Sequence, residues 1–374
     1  MQIAVDVRSL MEGRHSGGEE YTTHILRSMA TYAPQHIFQA YYNSARKVDL
    51  PEFPRNVHPV PYRYPNKVFN AAQLVSGYPR WDSLVRGDVF FVPNARLTPL
   101  SVSVPLVTVA HDVSYELFPE FLNPWRRVWH QLVRPRQLMR RANHIIAVSE
   151  HTKEDLMRLY DVSSEKVSVI YSGLSLDPKG ARSTAVQQVR QRYHLPEHFV
   201  LYVGRFEPRK NITGIIEAFG AIADRVPHDL VLAGESGWKQ GEHQAAYLRS
   251  AYRDRIHPLG FIPEAEKAAL YAAADLFVYP SFYEGFGFPP LEALSVGTPV
   301  ITSFNSSLPE VVGKWATLVD PYDTSLLAAV MHEVLQSPVR VPYAIREEVR
   351  STYNWQRAAK QTVRILESMV RSSA

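Results

Sequence analysis

The sequence predicts an α/β protein made of two doubly wound, parallel-sheet domains in tandem. Short β-branched runs alternate with helical patterns along almost the whole chain. Several runs, VFFV and LVTVA among them, are continuously apolar, as strands covered by helices on both faces are. A chain of 374 residues holds about two domains of roughly 100–200 residues each.

In the first half the pattern predicts strands at Gln2–Val7, Ile37–Tyr42, Val89–Val92, Leu106–Ala110 and His144–Val148. In the second half it predicts them at Phe199–Val203, Leu230–Ala233, Leu276–Tyr279, Pro299–Thr302 and Thr317–Val319. Ser149 is placed to cap a helix beginning EHTKEDL, and Asn211 one beginning ITGIIEAFGAIA. Between Ser172 and about Glu197 the periodicity fails, and SGLSLDPKGARST reads as a linker. It divides the chain into domains 1–175 and 176–353.

Composition narrows the function classes. With 45% hydrophobic and 21% charged residues the chain is neither disordered nor a disulfide-stapled miniature. Cysteine is absent, which excludes disulfides, thiolate chemistry and Cys-built zinc sites. No apolar run reaches the ~18 residues of a membrane span, and MQIAVDVRSL lacks the regions of a signal peptide. A soluble cytoplasmic protein is expected. Residues 1–172 carry 20 Lys and Arg against 16 Asp and Glu, and from 173 onward the numbers are equal at 21. NPWRRVWHQLVRPRQLMRR (123–141) accounts for that imbalance, with six arginines and no acid. A local patch of this kind fits an anionic partner at one surface, not a nucleic-acid protein. Within it Trp125, Val128, Trp129, Leu132 and Val133 fall at helical spacing, and Pro135 marks a break. Two readings stay open: a helix packed on the first domain with its arginines outward, or a site that meets a membrane surface or a lipid-diphosphate acceptor.

Ligands of doubly wound sheets bind beyond the carboxyl ends of strands, so the strand-end loops carry the chemistry. In LFVYPSFYEGFGFPPLEALSVGTPVI (276–301) a Gly-rich loop joins a strand to a helix expected to start near Pro289–Pro290. It presents backbone N–H groups to anions or hydroxyl-rich ligands. Glu284 lies in the loop and Glu292 is expected in the first helical turn, each able to grip hydroxyls. The bland alternative is a solvated Glu284 and a Glu292 that only complements the helix dipole. In YVGRFEPRKN (202–211), Gly204 leads from a strand into Arg205 and Lys210, a natural pyrophosphate clamp. Arg209 reads as a solvated loop charge. Gly17–Gly18 precede the helix EEYTTHIL and can bring backbone near a phosphate, a weak signal alone. His111 follows the apolar strand PLVTVA, where it can donate to a sugar hydroxyl or orient a reacting group. With 14 histidines in the chain, a structural role is its bland alternative.

VGRFEPRKN, EGFGFPPLE, VAHD, AVSEHTKEDL, the early Gly-Gly, and SLPEV followed by ATLVDP resemble, in order, the family-4 glycosyltransferases of GT-B fold. LAGESGWK (232–239) resembles the mannosyltransferase-like bacterial branch, although Lys314 stands where that branch has an acid. The resemblance implies two Rossmann-like domains facing across a cleft and transfer with retention. It also implies roles. Glu284 would hold the donor sugar's hydroxyls, with backbone N–H groups of Phe286, Gly287 and Phe288 on sugar and phosphate. Glu292 would bind the ribose, and Arg205 and Lys210 the diphosphate, approached also by Gly17 and Gly18. His111 would sit near the reacting carbon.

No Asp-x-Asp occurs in the sequence, so fixed cations and helix N-termini are expected to stabilise the leaving diphosphate without a metal or other cofactor. The expected partners are a nucleotide sugar, by preference GDP-mannose, and a glycan or lipid-linked acceptor. Peripheral contact with the inner face of the membrane through 125–141 is the further expectation. The terminal helix, about 354–374, is expected to cross back onto the first domain. The alternatives are a UDP-sugar-dependent relative, a nucleotide-sugar epimerase, and a non-catalytic sugar-binding protein on the same fold. The last would be expected to lack part of the clamp, which is present here.

Overall fold

The structure, a computed structural model, describes residues 1–11, 17–122, 124–235 and 241–371. The chain divides into two compact units: Met1–Leu117, Pro124–Gly173 and Asn354–Ala374 in one, Phe118–Asn123 and Leu174–Tyr353 in the other. The short Phe118–Asn123 segment groups with the second unit, not with its sequence neighbours. Its aromatic rings explain this, since Phe118 packs on Tyr283 at 5.6 Å and Phe121 stacks on Phe282 at 5.8 Å.

In the first unit the strands are β1 (Gln2–Asp6), β2 (Ile37–Asn43), β3 (Val57–Tyr62), β4 (Val89–Val92), β5 (Leu106–Ala110), β6 (His144–Ala147) and β7 (Val167–Val169). They form a parallel sheet in the order β3-β2-β1-β4-β5-β6-β7. The second unit holds β8 (Phe199–Val203), β9 (Asp229–Ala233), β10 (Ile256–Gly260), β11 (Leu276–Tyr279), β12 (Val300–Ser303) and β13 (Thr317–Val319). These too are parallel, in the order β10-β9-β8-β11-β12-β13. The interior strands β4, β5, β8 and β11 are buried along their whole length, as their continuous apolar runs require. Around Trp81 the first core is aromatic, with Tyr41 at 4.6 Å and Phe69 at 5.3 Å between ring centroids.

Both anticipated caps form: the Ser149 side chain accepts from Thr152 N, and that of Asn211 from Gly214 N. The linker reading needs correction. A 3-10 turn, Pro178–Ala181, and a helix, Ser183–Arg192, occupy it. That helix buries little besides Val189, so it carries no apolar stripe to betray it. Strands β3, β7 and β10 were also not anticipated; β3 and β10 contain proline, and β7 is three residues long. The basic segment forms two helices, Pro124–Val133 and Pro135–Arg141, broken at Arg134 (φ 50°). Val133, Leu138 and Met139 are buried while Val128 and Leu132 are exposed; the Trp125 and Trp129 side chains lie outside the described residues. The terminal helix, Trp355–Arg371, packs on helix Gly17–Tyr32 of the first unit. Among the described residues no helix is long and apolar enough to cross a membrane.

Candidate functional site

In the second sheet the chain moves outward from β8 through β9 to β10, then returns to β11 and moves the other way to β13. Its order therefore reverses between β8 and β11, the position where doubly wound sheets open a ligand crevice. The loops 204–211 and 280–287 leave the carboxyl ends of those two strands.

They meet through charge. Glu284 is buried, and its Oε1 accepts from Lys210 Nζ at 2.5 Å while Oε2 accepts from Arg209 Nη1 at 2.7 Å. Arg209 Nη1 also donates to the Tyr283 carbonyl at 2.9 Å, and Lys210 Nζ to the hydroxyl of Tyr279 at the end of β11. Ser306 Oγ accepts from Glu284 N at 3.0 Å, and Ser307 Oγ donates to the carbonyls of Glu284 at 2.9 Å and Phe286 at 3.0 Å. Burial opposes the ionised Glu284, but Arg209 and Lys210 overcome it and hold the carboxyl down at about 2. Burial and the neighbouring Arg209 charge draw the Lys210 ammonium below its ordinary value, with Glu284 and Glu207 pulling the other way. Both directions fit one geometry, because the carboxylate faces two cations and the ammonium faces a cation as well as an anion.

Arg209 is thus no solvated loop charge; nothing in the order of residues signals that the chain folds it back onto Glu284. Arg205 is the looser cation: its side chain is 27% exposed, and among the described residues its charged neighbour is Glu207 at 4.0 Å. Arg205, Arg209 and Lys210 against Glu207 and Glu284 leave the cluster one net positive charge. That is an anion-binding disposition.

The helix after the loop spans Phe288–Val296, with Gly287 at its N-cap (φ 104°) and prolines in its first turn. A Cβ on Gly287 would come within 2.7 Å of Leu308, so both the backbone angle and the space demand glycine. Phe286 packs on Phe288 at 5.0 Å and Tyr353 at 5.6 Å, fixing the backbone that points its N–H groups outward from the helix start. Glu292 is the fifth helical residue, beyond the first turn where it was expected, and it is buried. Tyr271 donates to its Oε2 at 2.7 Å, so simple dipole complementation does not describe it.

Gly204, at the end of β8, lies against Gly234, at the end of β9. A Cβ on Gly234 (φ 148°) would overlap the Gly204 carbonyl oxygen. Gly234→Ala is therefore expected to push loop 204–211 out of place, costing about 1–3 kcal/mol as overpacking does. Urea denaturation should register the loss, together with weakened anion binding.

In the first unit the order reverses between β1 and β4. Gly17 and Gly18 belong to helix Gly17–Tyr32 instead of preceding it. A Cβ on Gly18 would overlap Asn94 Oδ1, in the loop after β4, and Asn94 Nδ2 donates to Thr22 Oγ1 at 2.7 Å. His111, just past β5, sets its Nε2 2.8 Å from the Pro93 carbonyl and its ring edge-on to Tyr21 at 4.7 Å. Burial lowers its pKa despite the Pro93 and Asp112 contacts, so the ring is neutral at pH 7 with Nε2 as donor. Arg14, His15 and Ser16, and Ser236 to Lys239 of the LAGESGWK motif, lie outside the described residues. Sequence reasoning also missed Tyr279 and Ser307 as supports; Ser307 opens the SLPEV motif, which was the available signal.

Two doubly wound units of this kind are the fold of the GT-B glycosyltransferases. The chain matches sucrose-phosphate synthase from Thermosynechococcus elongatus over 100% of both chains, with a TM-score of 0.74 at 21% identity. Family models for "Glycosyltransferase Family 4" and "Glycosyl transferases group 1" match residues 15–178 and 187–352. The O-antigen chain mannosyltransferase B of Escherichia coli is 32% identical over 287 residues, 75% of this chain and 73% of that protein. The MMP alpha-(1->4)-mannosyltransferase of Mycolicibacterium hassiacum is 28% identical, over 80% of this chain and 74% of its own. The chain belongs to the group 1, family-4 glycosyltransferases and is a glycosyltransferase.

Proposed function

We propose that the chain transfers mannose from GDP-mannose, with retention and without a metal, to a glycan or lipid-linked acceptor in cell-surface polysaccharide synthesis. The observation that carries this reading is the buried Glu284 clamped by Arg209 and Lys210, with Arg205 beside it, at the reversal point of the second sheet. It provides a fixed carboxylate for sugar hydroxyls next to a net positive charge for a diphosphate. The mannosyltransferase names of the two relatives support the choice of sugar, and the O-antigen name supports the class of product.

In the reaction the bond from the anomeric carbon to the diphosphate oxygen breaks as the acceptor oxygen bonds to that carbon on the same face. The acceptor's proton passes to a diphosphate oxygen. Negative charge grows on the leaving group, and Arg205 and Lys210 stabilise it together with the N–H groups of Phe286, Gly287 and Phe288. Glu292 takes the ribose. For the first unit we assign Gly17 and Gly18 to phosphate and His111 to the sugar. We place the reaction in the cytoplasm, with residues 125–141 as the segment that meets a membrane surface.

A thermal-shift panel of GDP, UDP, ADP and their sugars tests the donor, because a ligand that binds the folded state raises Tm by mass action. GDP and GDP-mannose are expected to give the largest shifts; a larger UDP shift would replace the donor. Glu292 supplies a second test. Burial pushes its carboxyl above the ordinary value, Glu264 adding to the effect and Lys267 and Tyr271 opposing it. The ionised form therefore costs stability at neutral pH, and that cost disappears as the pH falls below the ordinary value. Glu292→Gln is expected to raise Tm at pH 7 by a few degrees (roughly 1 kcal/mol) while weakening GDP binding. A lowered Tm would mean that the charge is compensated.

A further inference from the structure

His198, His228 and Asp275 each immediately precede a strand, β8, β9 and β11 respectively. Those strands are neighbours, and the register pairs Phe199 with Asp229 and Val200 with Leu276. The three side chains are thereby gathered at the amino edge of the second sheet. Their backbone is tied there: Asp229 N donates to the His198 carbonyl and Asp275 N to that of Phe199, both at 3.0 Å, and Phe199 N donates to Asp275 Oδ2 at 3.0 Å.

One donor atom from each residue lies within 4.8 Å of the others. His198 Nδ1 is 3.3 Å and His228 Nε2 3.7 Å from Asp275 Oδ2. Tetrahedral zinc, with bonds of about 2.0–2.2 Å, spaces its ligand atoms at about 3.3–3.5 Å, so these separations need only small side-chain adjustment. His228 points the same way. It is 4% exposed, its Nδ1 has no hydrogen-bond partner among the described residues, and its Nε2 stands beyond hydrogen-bond reach of Asp275. Zinc at Nε2 would give that nitrogen a bond that Asp275, at 3.7 Å, does not supply as a hydrogen bond. Nearby Asp229 is already committed to Arg255 at 2.9 Å and His257 at 2.7 Å. Arg340 lies within electrostatic reach of Asp275 and works against a cation there.

We propose that His198, His228 and Asp275 form a zinc-binding site, with water completing the coordination. Two imidazoles and a carboxylate suit zinc better than magnesium or calcium. The site lies a full strand, about 15 Å at ~3.3 Å per residue, from the loops that carry the proposed chemistry. The ion's role is therefore to tie three strand starts together. Phe199 N orients the carboxylate from behind.

The test uses the full chain, stripped with chelator, dialysed and titrated with zinc chloride by calorimetry and by thermal shift. A single equivalent is expected to bind and to raise Tm, and cobalt in its place is expected to give the visible spectrum of a low-symmetry four-coordinate ion. His198→Ala, at a half-exposed side chain that does not endanger folding, is expected to weaken zinc binding about tenfold or more, as is Asp275→Asn. His257→Ala serves as the control and is expected to bind as the wild type does. Absence of stoichiometric binding, or wild-type affinity in both ligand variants, overturns the proposal; the latter would place zinc on other histidines.

Discussion

Glu284→Ala is expected to lose about 3–5 kcal/mol of folding stability, because it leaves the Arg209 and Lys210 charges without their carboxylate. Glu284→Gln keeps the shape and one acceptor, and is the better probe of chemistry. It is expected to lower transfer by about 10²–10³-fold while GDP still binds, since the cluster only becomes more positive. Product formation and calorimetry in parallel check this; equal loss of both would mean that Glu284 serves the nucleotide, not the sugar. The acid limb of stability carries the same signature. A carboxyl held at about 2 against an ordinary 4.5 contributes stability that is complete above the ordinary value and drains away as the pH falls towards 2. That contribution is about 3 kcal/mol, and the Gln variant is expected to lack this part of the pH dependence.

Arg205→Ala is expected to separate activity from stability. Among the described residues its guanidinium has only a distant charged partner, Glu207, so the fold should keep its Tm. Turnover should fall with the loss of about 2–4 kcal/mol of transition-state stabilisation. Arg205→Lys retains the charge without the planar fork and is expected to fall between the two. Wild-type turnover in Arg205→Ala would remove this residue from the diphosphate clamp. Taken together, the two positions divide the cluster into a buried part that fold and chemistry both need and an outlying cation that only the chemistry needs.

Much of this was legible from residue order. Apolar runs located the interior strands, Asn211 and Ser149 announced their helices, and the Gly-rich loop and the GRFEPRK segment marked the two strand ends that the sheet brings together. What sequence could not supply was pairing across 75 residues: that Arg209 reaches Glu284 depends on β8 lying beside β11. The weakly amphipathic helix Ser183–Arg192 reads as a linker, and Glu292 falls one or two positions later in its helix than expected, because the helix begins at Phe288, ahead of the prolines. Strands β3 and β10 were hidden by Pro59, Pro61 and Pro258, since proline ordinarily demotes a run from strand to loop.

Those prolines sit where a sheet can tolerate them. β3 and β10 are the outermost strands of their sheets. The carbonyls of Asn56 and Tyr62 accept from Phe38 and Ser44 of the β2 side, so residues of that parity face inward and Pro59 and Pro61 face out. The opposite rims, β7 and β13, are three residues long. The outer side of β3 therefore lacks N–H groups at 59 and 61 for a foreign chain to pair with, which works against intermolecular extension of that sheet.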